Sequence, residues 1–319
     1  MVGRELTRCD LGERVSDVLR VQRRPIVSTG TGYAGPRMDP VPDVARTKLD
    51  RLRLLLGEMP DAVVGFSGGV DSALLAFVAH DMLGARLTAV TADSPSIPRR
   101  ELDEAVAFAA RHGIRLELVK TGELHDPRYR RNTSDRCGFC KEALVDAVVA
   151  HPVLAGRTLL LGVNVDDLGD HRPGQEAARL RGARFPLVEA DITKEEVRAL
   201  SRELGLKTWD KPAAACLASR IAYGVPVTAE ALARIERAEE GLRALGFAGD
   251  VRVRDQGTDL ARIEVPPDRF RELLTLRSQV VDAVRDAGFR YVTLDLEGFR
   301  SGSNNLVLLP LPRAGASSR

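Results

Sequence analysis

Between residues 44 and 162, short apolar runs take turns with stretches of helical periodicity, and this alternation constrains the fold of the 319-residue chain more than any other feature. Apolar residues recur at helical spacing from Val44 to Leu56. Ala62-Val-Val-Gly-Phe66 then forms a run bounded by Pro60 and Gly68, the pattern of a buried strand. A helix from about Ser72 to Leu83 follows. After it come a strand over 87–91, a helix over 99–112, a strand over 115–119, a helix over 140–150 and a strand over 158–162. Such alternation implies an α/β fold, a parallel sheet with helices on both faces. Ligands bind such sheets at the loops after the carboxyl ends of the strands.

The pattern changes after a helix over 194–204 and the Pro212 loop. Thr228 to Leu245 reads as a long charged amphipathic helix. Asp250-Val-Arg-Val-Arg254 and Leu260-Ala-Arg-Ile-Glu-Val265 alternate as half-exposed strands do, and a helix over 267–288 and a strand over 291–296 complete the unit. A smaller C-terminal α+β domain is expected, with the boundary near 210–225: residues 41–215 form the first domain, 216–310 the second and 311–319 a frayed tail. Residues 1–40, rich in turn formers over 28–36, read as a weakly structured extension, and Met38, which opens a more regular stretch, is a candidate alternative start.

A hydrophobic content of 44% supplies substantial cores, and 47 basic against 45 acidic side chains leave a net charge of +2, so no global field gathers nucleic acid or an anionic membrane. No apolar run approaches the roughly 20 residues that span a bilayer, and charges interrupt the first 40 residues, so the cytoplasm is the expected location. Anionic ligands must be held locally.

Ser67-Gly-Gly-Val-Asp-Ser72 lies between the strand ending at Phe66 and the following helix. Gly68 and Gly69 let the backbone approach an anion, the helix start adds partial positive charge, and Ser67 and Ser72 offer hydroxyls, so the turn suits a pyrophosphate. It lacks the lysine of the Walker loop. The hexapeptide resembles the signature of PP-loop ATP pyrophosphatases, which cleave ATP between the α and β phosphates and leave AMP on a substrate oxygen. The resemblance implies that Asp71 assists the phosphates or their Mg²⁺, and that Asp93 and Ser94, at the end of the next strand, adjoin the adenosine; these two suit a helix N-cap equally.

The cysteines are Cys9, in the extension, Cys137, Cys140 and Cys216. The Cys137/Cys140 spacing, between Arg136 and Lys141, fits one metal centre or a reactive pair, and three thiolates would leave one iron of a [4Fe-4S] cluster free to carry sulfide. A zinc site would seek a fourth ligand, and none is evident. Asn164, Asp166, Asp167 and Asp170 fall in a loop after an apolar strand, where they could hold Mg²⁺, orient substrate or form turns. Arg220 suits a phosphate contact or depression of a thiol pKa, Lys141 a triphosphate contact or plain exposure, and Trp209 ring stacking or core filling.

In order, the motifs SGGVDS, RCGFCK, GVNVDDLGDHRPG, KPAAACLASRIAYG and VRVRDQG resemble the LarE family, ATP-dependent sulfur transferases of nickel-pincer nucleotide cofactor synthesis, from about Leu49 to Leu296. The resemblance implies adenylation of a carboxylate of pyridinium-3,5-biscarboxylic acid mononucleotide and its conversion to a thiocarboxylate, in two rounds per product. Cys216 matches the sulfur-bearing cysteine, which some members sacrifice to dehydroalanine while others use three cysteines around a [4Fe-4S] cluster. The pair at 137 and 140 favours the cluster version. Arg252 and Arg254 match the substrate-phosphate ligands, Glu240 an acid or base, and a homo-oligomer is implied. A tRNA thiolation enzyme and a non-catalytic ATP-binding Fe-S protein are the competing readings; no basic stripe favours the former.

Overall fold

The computed structural model describes residues 41–169, 173–212, 215–300 and 302–304. The expected extension with Cys9, the tail and Asp170 lie outside the described residues.

The first sheet has four parallel strands, β1 (Ala62–Gly65), β2 (Leu87–Asp93), β3 (Leu116–Lys120) and β4 (Thr158–Leu161), in the order β3-β2-β1-β4. The helices described with it are α1 (Asp43–Gly57), α2 (Val70–Leu83), α3 (Arg99–His112), α4 (Pro127–Arg130), α5 (Arg136–Ala150), α6 (Pro173–Leu180), α7 (Pro186–Glu189) and α8 (Lys194–Glu203). Alternate residues of β1 serve opposite faces of the sheet. Ala62 and Val64 join the core with α1, α2 and α8, while Val63 joins the core under α5. Both faces of β1 are therefore dry, which is why it reads as an unbroken apolar run.

Helix α2 explains the rigidity of the turn before it. Leu74, Leu75, Ala73, Ala76 and Ala79 are all fully buried, so the helix is apolar nearly all round and is clamped on every side. Each of the two leucines contributes about 1.5–3 kcal/mol through burial. Strand β1 pairs with β2 on one side and β4 on the other, so the strand order changes direction at β1. The crevice at such a switch point is the natural ligand site of an open α/β sheet, and Ser67–Ser72 occupies it.

The second sheet follows α9 (Ala229–Ala244) and contains β5 (Arg252–Asp255), β6 (Leu260–Glu264) and β7 (Tyr291–Leu294), with β5 antiparallel and β7 parallel to β6. Between β6 and β7 the expected single helix is two, α10 (Phe270–Thr275) and α11 (Arg277–Asp286), divided at Leu276. Strands β5 and β6 are more buried than their half-exposed alternation suggested. Asp255 and Glu264 are fully enclosed because Arg234 and Arg254 neutralise them, at 2.6 and 2.7 Å. Among the described residues no helix is long and apolar enough to cross a membrane.

Candidate active site

The phosphate turn is built as its residues dictate. Gly68 has φ +72°, a conformation that favours glycine, and a Cβ there would stand 3.3 Å from that of Ala105 in α3. Ser72 Oγ accepts the Ser67 N–H at 3.2 Å, lies 3.1 Å from Ser67 Oγ and donates to Gly69 O at 3.1 Å, closing the turn on itself.

Asp71, in the first turn of α2, is held from two further elements. Its Oδ1 accepts Asn164 Nδ2 at 2.9 Å, and its Oδ2 pairs with Lys194 Nζ. Asn164 is fully buried, and its Oδ1 accepts the N–H groups of Asp166 and Asp167 at 3.0 and 3.3 Å. Asp167 accepts the Asn164 N–H, and Asp166 accepts the Lys194 N–H at 2.6 Å. The loop after β4 thus shapes the anion site through hydrogen bonds. Lys194, which the motifs passed over, brings a cation to the phosphate loop. Gly162 makes the approach possible, since a Cβ there would stand 2.8 Å from Ser72 N.

At the end of β2, Asp93 pairs with Arg99 at 2.6 Å. Ser94 is buried with its hydroxyl on Glu123, a fully enclosed carboxylate the sequence did not single out. Ser96 accepts the Leu217 N–H at 2.7 Å through its carbonyl, and its hydroxyl lies 2.6 Å from Tyr129 Oη. The Cys216 segment therefore touches the ligand edge of the first sheet. A few residues on, Ala222 N–H donates to Asp255 O at 2.9 Å, which ties the same segment to the second sheet.

Cys137 and Cys140 both lie at the start of α5, which begins at Arg136 rather than at Cys140. Burial pushes the Cys140 thiol up to about 12, against the opposing pull of Lys141, with Cys216, Glu123 and Cys137 adding to the rise. Cys137 is raised by desolvation and then by Cys216, and Tyr129 by burial and then by Cys216. The three thiols are thus within electrostatic reach of one another. As donors they suit a soft metal or iron-sulfur centre. Among the described residues, no three Cys, His, Asp or Glu side chains are grouped closely enough to hold a metal ion.

Arg220 is buried, pairs with Glu239 at 3.0 Å and donates to the Ala215 and Cys216 carbonyls at 2.5 and 3.1 Å. Arg254 is committed in the same manner to Glu264, Ser219 O and Ser303 Oγ. Arg252 differs. It stacks over Phe299, donates only to its neighbour's carbonyl, and has no carboxylate within ion-pair distance among the described residues. Desolvation, then Arg220, lowers its pKa, so an arriving anion would relieve it. Glu240 is exposed and bonded to Arg243, whereas its neighbour Glu239 is the enclosed carboxylate. Trp209 is partly exposed, with Arg202 over its ring at 5.6 Å. A cavity of about 470 Å³ runs from Gly68 past Lys211 and Ala215 to Arg220 and Arg252.

A parallel sheet with a glycine turn at its switch point, an aspartate and lysine beside that turn, and an adjoining cysteine segment defines a PP-loop ATP-dependent enzyme. The NAD synthase family matches residues 55–136. An uncharacterized protein of Synechocystis is 48% identical over 82% of this chain and 98% of its own length. The pyridinium-3,5-bisthiocarboxylic acid mononucleotide synthase of Lactiplantibacillus plantarum is 39% identical over 81% of this chain and 94% of its own length. The glutamine-hydrolyzing GMP synthase of Rhodopseudomonas palustris is 29% identical over 50% of this chain and 33% of its own length. The chain belongs to the LarE family of the Lactiplantibacillus synthase, and is an ATP-dependent, sulfur-transferring enzyme.

Proposed function

We propose that this enzyme adenylates a carboxylate of pyridinium-3,5-biscarboxylic acid mononucleotide and converts it to a thiocarboxylate, twice per product. A substrate carboxylate oxygen attacks the α-phosphorus of ATP, the bond to the β-phosphate breaks, and pyrophosphate leaves into the turn of Ser67, Gly68, Gly69 and Ser72. Lys194 faces the departing charge. Asp71, now bonded to Asn164 and Lys194, would be the residue to hold a Mg²⁺, which would neutralise charge on the phosphates. Asp93 and Ser94 adjoin the adenosine, and Asn164 and Asp167 hold the site's shape. Sulfur then attacks the acyl carbon and AMP departs.

Arg252 receives the substrate phosphate, with Arg220 and Arg254 fixing the wall around it. Cys137, Cys140 and Cys216, which are not grouped closely enough here to hold a metal ion, would have to draw together to hold a [4Fe-4S] cluster, which would then supply sulfur at the sulfide level. Residues 41–215 carry the nucleotide chemistry and 216–310 the substrate and sulfur step, in a cytoplasmic homo-oligomer. Lys141, whose charge opposes the rise of the Cys140 thiol, is the further candidate to reach the triphosphate. Glu240 remains a candidate acid or base only through the family resemblance.

What supports this reading is the cavity joining Gly68 to Ala215, Arg220 and Arg252. Its test is the Cys216→Ala variant, assayed anaerobically for pyrophosphate and for thiocarboxylate. Substrate-dependent pyrophosphate release should persist while thiocarboxylate formation is abolished. Loss of both would make Cys216 structural, and release stimulated by tRNA instead would favour the thiolation reading.

A further inference from the structure

Asn132 belongs to none of the motifs above, yet its side chain is fully buried. It sits between α4 and α5 with φ +56°, a left-handed conformation that asparagine tolerates better than most residues. Its Nδ2 donates to Ala222 O at 2.8 Å and Val225 O at 2.9 Å. Its Oδ1 accepts from Arg136, the residue preceding Cys137, and its own carbonyl accepts the Gly224 N–H at 3.3 Å.

These bonds do not merely close a local turn. The Nδ2 partners lie 90 and 93 residues away in sequence, on the segment that leaves Cys216. Both amide donors are spent on that segment and the acceptor on the start of the cysteine helix, so the side chain bridges the two with little slack. Backbone bonds run alongside it: Val227 N–H donates to Arg130 O at 2.9 Å. On its other side the Cys216 segment is gripped by Arg220 and by Asn304, whose Nδ2 donates to Ser219 O at 2.8 Å.

We infer that Asn132 is a positioning residue that sets the Cys137/Cys140 pair against Cys216. The inference rests on the proposed function only in holding that the three cysteines act together; the bridge itself is independent of that chemistry. A buried amide that satisfies both partners of a gap transmits the position of one to the other, and small misplacements of reacting groups are costly, on the order of 10²-fold for about 1 Å.

The test uses the full-length chain and two variants, metal-free and reduced for the cross-linking and anaerobically reconstituted with iron and sulfide for the two activity measurements. Asn132→Asp keeps the side-chain shape and the Arg136 contact but removes both donors. Asn132→Gly removes the bridge while easing the left-handed backbone, which guards against simple misfolding. Cross-linking of Cys216 to Cys137 or Cys140 by a short bifunctional maleimide is read by peptide mass, beside pyrophosphate release and thiocarboxylate formation. Both variants should lose cross-link yield severalfold, and thiocarboxylate formation should fall on the order of 10²-fold. The kcat of pyrophosphate release and the KM for ATP should stay at wild-type level. Wild-type cross-link yield in both variants would overturn the inference, as would a parallel fall in pyrophosphate release. A lost cross-link with normal sulfur transfer would uphold the bridge and instead refute the joint role of the cysteines.

Discussion

At the scale of single residues, Lys194 and Arg252 stand out because each brings positive charge to a site where an anion is expected. Lys194 is tied to Asp71. When ATP binds, the same ammonium can turn to the phosphates while Asn164 keeps Asp71 in place. A preorganised donor aimed at developing charge is commonly worth about 10² to 10³ in kcat. We predict that Lys194→Met lowers the kcat of pyrophosphate release by about 10²-fold, roughly 2.7 kcal/mol, with a much smaller change in the KM for ATP. Steady-state pyrophosphate release measures both. An unchanged kcat would reduce Lys194 to a prop for Asp71.

At the scale of elements, the Cys216 segment is fixed by α9 through Glu239. Burial alone would raise the Glu239 pKa, but Arg220 and then Arg243 outweigh it and hold the carboxyl below its ordinary range. A depressed folded pKa means that the stabilisation is complete above the unfolded value of about 4.3 and is lost as pH falls through the lower folded value. We predict that Glu239→Gln, which strands the buried Arg220, costs about 3–5 kcal/mol at neutral pH. The difference from wild type should shrink as pH drops below about 4. Urea unfolding at several pH values reads this, and a difference independent of pH would refute the ion-pair account. The same pair shows the limit of sequence reading. The glycine turn between strand and helix was legible because strand, glycines and helix are contiguous. Lys194, Glu239 and Asn132 were not, since their meaning comes from partners 123, 19 and 90 residues away. Nor did spacing separate Arg252 from Arg254: both alternate correctly, but only contacts show that Glu264 claims one of them. Local signals likewise gave the strands of both sheets, while the burial of Asp255 and Glu264 depended on arginines from elsewhere in the fold.

At the scale of the whole molecule, the small-molecule and tRNA readings differ in the salt dependence they predict. The net charge is only +2, and Arg252, with no carboxylate at ion-pair distance among the described residues, lines a cavity. A nucleic acid bound through 6 to 10 phosphates loses about 10³ to 10⁵ in affinity between 50 and 200 mM salt. A mononucleotide held by one arginine and a few hydrogen bonds involves far fewer displaced counterions, and its partly enclosed site is screened less than a surface one. The KM for the pyridinium nucleotide should therefore rise by no more than about tenfold over that salt range, and added tRNA should neither stimulate pyrophosphate release nor compete with the substrate. Measuring release against salt, with and without tRNA, reads both quantities at once. A steep salt dependence together with competition by tRNA would mean that the cavity is only one end of a longer polyanion track.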